Sequence, residues 1–255
     1  MERAYVRSPA GTYDHQDCED VKGYLGFTRY RNMEIRNRLN GLCDEGYREF
    51  TLKLIPGCKT IIGVRMPVLR SISKEIMKGD WRGFLSEPGP YCHEEKILMS
   101  LVISNAKMDM SERLEHLERF IPLIDNWAVC DSVIIKRDEK EMDMLWNFIL
   151  PYFDRPGEYE KRFAAVTMMR FIDDRHIERV LYELVHVKHG GYYLKMGVAW
   201  ALSFCYIAYP ERTLKAMNMG ELDTFTYNKT LQKITESLKV DKETKWFIRS
   251  LKRSE

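Results

Sequence analysis

The sequence is short of chain breakers, with 9 Pro and 15 Gly among 255 residues. That scarcity favours long helices over many short strands. No stretch reaches about 18 uninterrupted apolar residues, which argues against a membrane span. The opening stretch MERAYVRSPAGTYDHQDCED holds no apolar run of the kind a secretion signal needs, so a cytoplasmic protein is expected. A charge of one sign is also missing: 40 Lys and Arg against 38 Asp and Glu leave +2. That balance neither demands nor excludes nucleic acid, because a near-neutral total can carry one basic face. None of the 6 Cys forms Cys-x-x-Cys with another, and no His stands at zinc-finger spacing. All are read as reduced thiols. There is no Walker loop, no G-x-G-x-x-G and no H-E-x-x-H, so neither cofactor nor metal is expected. His186 and His189 stand i, i+3, but with Glu178 and Glu183 they read as a solvated helix end.

What is present describes a packed protein. Hydrophobic residues make up 45% and aromatics 12%, which excludes a disordered chain. The length suffices for one large domain or two small ones, with a real core. Residues 1–27 are rich in Gly, Tyr and Asp without a period and read as an irregular leader. Residues 28–255 read as a single domain of helices. Ile35, Leu39 and Leu42 begin an apolar face that Phe50 and Leu54 continue, until Pro56-Gly57 stops the helix. Pro67 sits in the first turn of the next. Ser111 is a plausible N-cap for Glu112 to Phe120. Further helices are expected over Glu94–Ala106, from about Asn126, around Met142–Ile149, and over Tyr159–Ile172 and Ile177–Val187. The run Tyr192–Tyr209 is almost wholly apolar and reads as central. Thr226–Leu238 and Lys242–Leu251 close the chain. About ten amphipathic helices joined by short loops fit antiparallel pairs, stacked into a solenoid with a concave face as much as gathered into a compact bundle. The expected fold is an all-α, right-handed stack of such pairs.

Three positions could carry chemistry. In Asp125-Asn126-Trp127-Ala128-Val129-Cys130-Asp131-Ser132, Asp125 or Asn126 can cap a helix starting at Trp127. Trp127 and Asp131 are then i and i+4 on one face. An indole beside a carboxylate on an exposed face is a poor choice for stability alone. The plain alternative is a core Trp127 and a solvated Asp131. Arg162 opens an apolar helical face; the plain alternative is a surface Arg pairing with Glu158 or Glu160. Trp200 has small neighbours that leave space around its indole; the plain alternative is a core Trp. In addition, residues 229–255 hold eight Lys/Arg against four Asp/Glu. Lys229 and Lys233, at i and i+4, could face a phosphate backbone or simply water.

The segments GVRMPVLR at 63–70, DNWAVCDS at 125–132, KRFAAV at 161–166, YYLKMGVAWAL at 192–202 and FTYNKTLQKITES at 225–237 are weak singly. Their order and spacing resemble the AlkD-like DNA alkylation repair glycosylases, which are built of HEAT-like helical repeats. The resemblance runs from about Tyr47 to the C-terminus. It implies that Trp127, Asp131 and Trp200 form a catalytic set in a concave cleft, with Arg162 on a phosphate; the basic C-terminal segment would then bring Lys229 and Lys233 to the DNA backbone. Asn126 stands where better-known members have a second Trp.

The implied activity is hydrolysis of the N-glycosidic bond of cationic N3- or N7-alkylpurines in duplex DNA, with the base left in the stack. The implied partner is double-stranded DNA, no membrane is implied, and a monomer is expected. The alternative from another class is a non-catalytic helical-repeat module that binds DNA or protein. The Trp127–Asp131 spacing favours the enzyme.

Overall fold

A computed structural model describes residues 33–254 apart from 137, 189 and 220. The leader at 1–27, with Cys18, and His189 lie outside the described residues. Among those described there is no strand, and the expected all-α fold is present. No helix is long and apolar enough to cross a membrane among them. The five described cysteines are free thiols, of which Cys43 alone is exposed.

Helix α1 covers residues 33–40. It is followed by α2 (Glu45–Leu54), α3 (Met66–Lys78), α4 (Trp81–Ser86), α5 (His93–Asn105), α6 (Met110–Phe120) and α7 (Trp127–Asp131). The second half holds α8 (Met142–Ile149), α9 (Glu158–Thr167), α10 (Ile177–His186), α11 (Tyr192–Ala208), α12 (Pro210–Met219), α13 (Thr224–Glu236) and α14 (Lys242–Ser250). The packing order is regular. Helix α3 packs on α5, α5 on α7, α7 on α9, α9 on α11, and α11 on α13. On the other layer α6 meets α8 and α10 meets α12. In each of these pairs a helix rests on the next but one in the chain, as expected for helical pairs stacked into a solenoid.

One continuous core runs through the stack, from Leu39 and Leu69 through Leu98, Leu117, Leu145 and Phe163 to Leu202, Ile234 and Ile248. Helix α11 is buried along most of its length because it lies between α9 and α13. This explains its nearly unbroken apolar sequence, since a helix covered on several sides has no solvent face to keep polar.

Several boundaries differ from the periodicity reading, each for a local reason. The single helix expected across Ile35–Leu54 is two. The chain turns at Gly41, and Asp44 caps a new helix by accepting from Tyr47 N at 2.9 Å. The loop that follows α2 is pinned by buried Glu94, whose carboxylate accepts from the backbone N–H groups of Ile62, Gly63 and Val64. Gly63 is required there: its φ is +102°, and a Cβ would stand 2.6 Å from Arg48 Cβ. The cap of α6 is Asp109 rather than Ser111, accepting from Glu112 N at 2.9 Å. Helix α9 tightens into a 3₁₀ turn over Met168–Phe171. Helices α4 and α12 escaped the periodicity reading. The first has only 6 residues, and the second begins directly at Pro210.

Candidate nucleic-acid interface

Helix α7 is only 5 residues long and is held at its start by Asn126, whose Oδ1 accepts from Val129 N at 3.0 Å. Asp125, the other candidate cap, instead pairs with Lys96 at 2.6 Å. The last residue of α7 is Asp131, and the helix stops there. Ser132 turns back to α5 through a short contact with the Ser100 hydroxyl. Trp127 and Asp131 thus stand at the two ends of a single helical turn, and Val129 and Cys130 between them are buried. The Cys130 thiol is pushed well up by that burial and is not a nucleophile.

Asp131 forms a two-point fork with Arg162 from α9. Nε donates to Oδ1 at 3.0 Å and Nη2 donates to Oδ2 at 2.6 Å. Nη1 donates to the carbonyl of Tyr193 at the start of α11. The Arg162 side chain is 6% exposed, and that of Asp131 is 17% exposed. Burial by itself would lower the Arg162 pKa; the bond and charge of Asp131 outweigh it and hold it above its ordinary value. Room for the guanidinium comes from Gly197 of α11, where a Cβ would sit 3.1 Å from Nη1 and 3.2 Å from Cγ of Arg162. The small residue before Trp200 therefore makes space for the arginine from the neighbouring helix.

Two cavities meet at Asp131. The larger, about 710 Å³, runs between α2, α3, α5 and α7 and is bordered by Phe50, Met66, Ile97 and Trp127, with Arg70, Lys74 and Lys136 among its residues. The smaller, about 200 Å³, is bordered by Thr167, Arg170, Trp200 and Phe204. Asp131 and Ile134 line both, whereas Arg162 lines neither. The carboxylate thus stands at the junction with its arginine behind it.

Trp127 takes a position between the two readings of the sequence. Its Nε1 donates to the Leu54 carbonyl at 3.1 Å and its ring packs on Ile55, Cys58 and Ile61, yet it still borders the large cavity. Trp200 is half-buried, with an edge-on contact to Phe204 at 6.0 Å. The structure places Arg162 differently from either expectation. It is not an exposed phosphate contact, because it is buried and its donors are committed. Nor does it pair with Glu158 or Glu160: Glu158 accepts from Tyr193 N and Leu194 N, and Glu160 accepts from Gly157 N.

The two lysines separate. Lys233 lies near the fork; burial, then the charge of Arg162, lowers its pKa, while Glu236 and Asp131 pull the other way. Lys229 lines another cavity with Arg249 and Lys252, its ammonium 5.7 Å from the Phe225 ring and 3.0 Å from Gln232 Oε1. Sequence reasoning missed Arg70 and Lys74, which stand at i, i+4 on α3 and border the large cavity. It also missed Arg170 and His93. The basic pair on α3 carried a readable spacing; His93, which borders the large cavity, carried none, because its contact with Asn126 joins positions far apart in the chain.

A family model described as DNA alkylation repair enzyme matches residues 35–235. No curated protein and no solved structure matches.

Proposed function

The chain belongs to the DNA alkylation repair enzyme family, which carries a role in alkylated-DNA repair and binding to DNA, and from that premise we propose that it is a glycosylase for cationic alkylpurines in duplex DNA. The observation that supports this reading best is the junction at Asp131. A carboxylate lines both cavities, is bordered by one indole in each, and is fixed from behind by a buried guanidinium.

The chemistry suits that arrangement. Alkylation at purine N3 or N7 makes the base a good leaving group. As the C1′–N bond breaks, positive charge passes to the deoxyribose. Asp131 stabilises that charge electrostatically and holds a water whose oxygen bonds to C1′; the C1′–N electron pair stays on the base, which leaves neutral, and the water's proton passes to solvent. Trp127 and Trp200 present ring faces to the sugar and its flanking backbone, each worth about 0.5–2 kcal/mol toward a cation. Arg162 acts through Asp131: a fork with two hydrogen bonds fixes the carboxylate plane as a single ionic contact would not. Lys233, Arg70, Lys74 and Lys136 supply positive charge for the strand. Neither a cofactor nor a metal enters this reading.

Single-turnover incubation with methylated duplex DNA tests the proposal. Free 7-methylguanine and an abasic site in an unbroken strand are the expected products. Tight, salt-sensitive DNA binding without base release would instead support the non-catalytic module.

A further inference from the structure

We infer that His93 is a DNA-binding residue of the groove: its uncharged ring donates Nε2–H to a non-bridging phosphate oxygen of the strand beside Trp127, and Asn126 sets it up to do so. The inference rests on the reading of this groove as the DNA face.

Asn126 fixes the tautomer. Its Oδ1 is taken by Val129 N at the start of α7, so the other end of the amide is the NH₂ group. That assignment agrees with Asp125, whose Oδ1 can only accept and lies 2.9 Å from Nδ2. The same NH₂ lies 3.3 Å from His93 Nδ1. Nδ1 must therefore accept, and in the neutral ring the proton sits on Nε2. The backbone N–H of His93 is already used, donating to Thr60 O at 3.1 Å.

Nε2 has no partner among the described residues, although His93 is only 6% exposed and lines the large cavity. A buried N–H left without an acceptor is costly, so a native protein retains one where something fills it. The neutral form suits the place. Burial lowers the pKa, against the pull of Glu94 and Asp125 and with the push of Lys96. Arg70, Lys74, Lys136 and Asp131 border the same cavity. Its cations suit a phosphodiester strand, and a duplex turns phosphate oxygens outward. A neutral donor grips such an oxygen without adding a positive charge to a groove where the sugar must become cationic.

The experiment uses the full chain and a short duplex, with binding followed by anisotropy over a salt series. The ring is read separately by ¹⁵N NMR of labelled histidine. In the free protein near neutral pH, His93 should show the Nε2–H tautomer, and its Nε2 resonance should move when duplex is added. His93→Leu should weaken binding about tenfold at every salt concentration, since a hydrogen bond to a charged group is lost. The slope against salt should stay unchanged, because a neutral donor releases no counterion. His93→Gln keeps an N–H donor and should recover most of the affinity. Asn126→Asp keeps the cap on Val129 but puts an acceptor opposite Nδ1. Its Nε2 then loses the proton at alkaline pH and regains it in acid. Binding by that variant should strengthen as pH falls, where the parent stays flat.

A parent that binds no duplex would overturn the DNA reading, and this inference with it. A parent that binds while His93→Leu binds equally well, or whose His93 carries its proton on Nδ1, would overturn this inference alone.

Discussion

Asp131→Asn separates charge from shape. A unit positive charge 4 Å from the carboxylate gains about 4 kcal/mol at an effective dielectric of 20. Arg162 stands behind Asp131 and opposes that gain. A guanidinium charge taken at about 8 Å from the sugar, twice the distance assumed for the carboxylate, would take back about 2 kcal/mol. The parent site therefore favours the cationic transition state by a net of about 2 kcal/mol, roughly thirtyfold in rate. The asparagine removes the attraction and leaves the opposing arginine, a change of about 4 kcal/mol. Base release should fall about a thousandfold. Binding to undamaged duplex should not weaken, because the substitution makes the groove more positive. The variant also leaves a buried guanidinium without its counter-charge. With Asp131 still 17% exposed, that should cost about 2–3 kcal/mol of stability. For a chain of this length the melting temperature should drop by about 4–12 °C. The assay is single-turnover release of 7-methylguanine at 25 °C, with folding checked by circular dichroism. Release at the parent rate by a folded Asp131→Asn protein would refute the electrostatic reasoning.

Other outcomes follow from the same geometry. Gly197→Ala sets a gain of about 1 kcal/mol in helix propensity against about 1–3 kcal/mol of crowding on Arg162. The net loss of about 0–2 kcal/mol should lower the melting temperature by no more than about 8 °C, while base release falls several-fold because the fork shifts; unchanged release would detach Arg162 from the site. Trp127→Phe loses the bond to Leu54 O but keeps a ring, so it should cost about 1 kcal/mol of stability and little rate, with Trp127→Ala losing both. Lys233→Met should raise the melting temperature and reduce the slope of log affinity against log salt by about 0.9. The sign follows from its depressed pKa. At neutral pH the lysine is charged in both the folded and the unfolded chain, and the folded state carries the penalty in full. That penalty fades as pH rises through the folded pKa, so the stability advantage of the methionine variant should shrink at alkaline pH. Thermal melts at neutral and alkaline pH check this.

The sequence alone determined the class of the fold and most of its helices, because apolar residues at helical spacing, together with Pro and Gly stops, are local signals. Pro67 opening α3 and the apolar run of α11 were readable in this way. So was the turn that carries Trp127 and Asp131, since spacing on a helix fixes which residues share a face. Short elements were not, because 6 residues of α4 contain too little periodicity to register. Partnership between side chains, by contrast, came from the packing of distant helices. Arg162 is 31 positions from Asp131, and nothing local distinguishes a buried fork from a surface pair. That choice depends on α9 packing between α7 and α11, and on Gly197 leaving space for the guanidinium. Lys229 and Lys233 share one helix and one spacing, yet the packing around α13 sends one toward the fork and the other to a separate cavity. The donor state of His93 depends in the same way on Asn126, brought to it by the stacking of α7 against α5. Helical periods are written residue by residue, whereas charges and hydrogen bonds between distant helices exist only once the stack has closed.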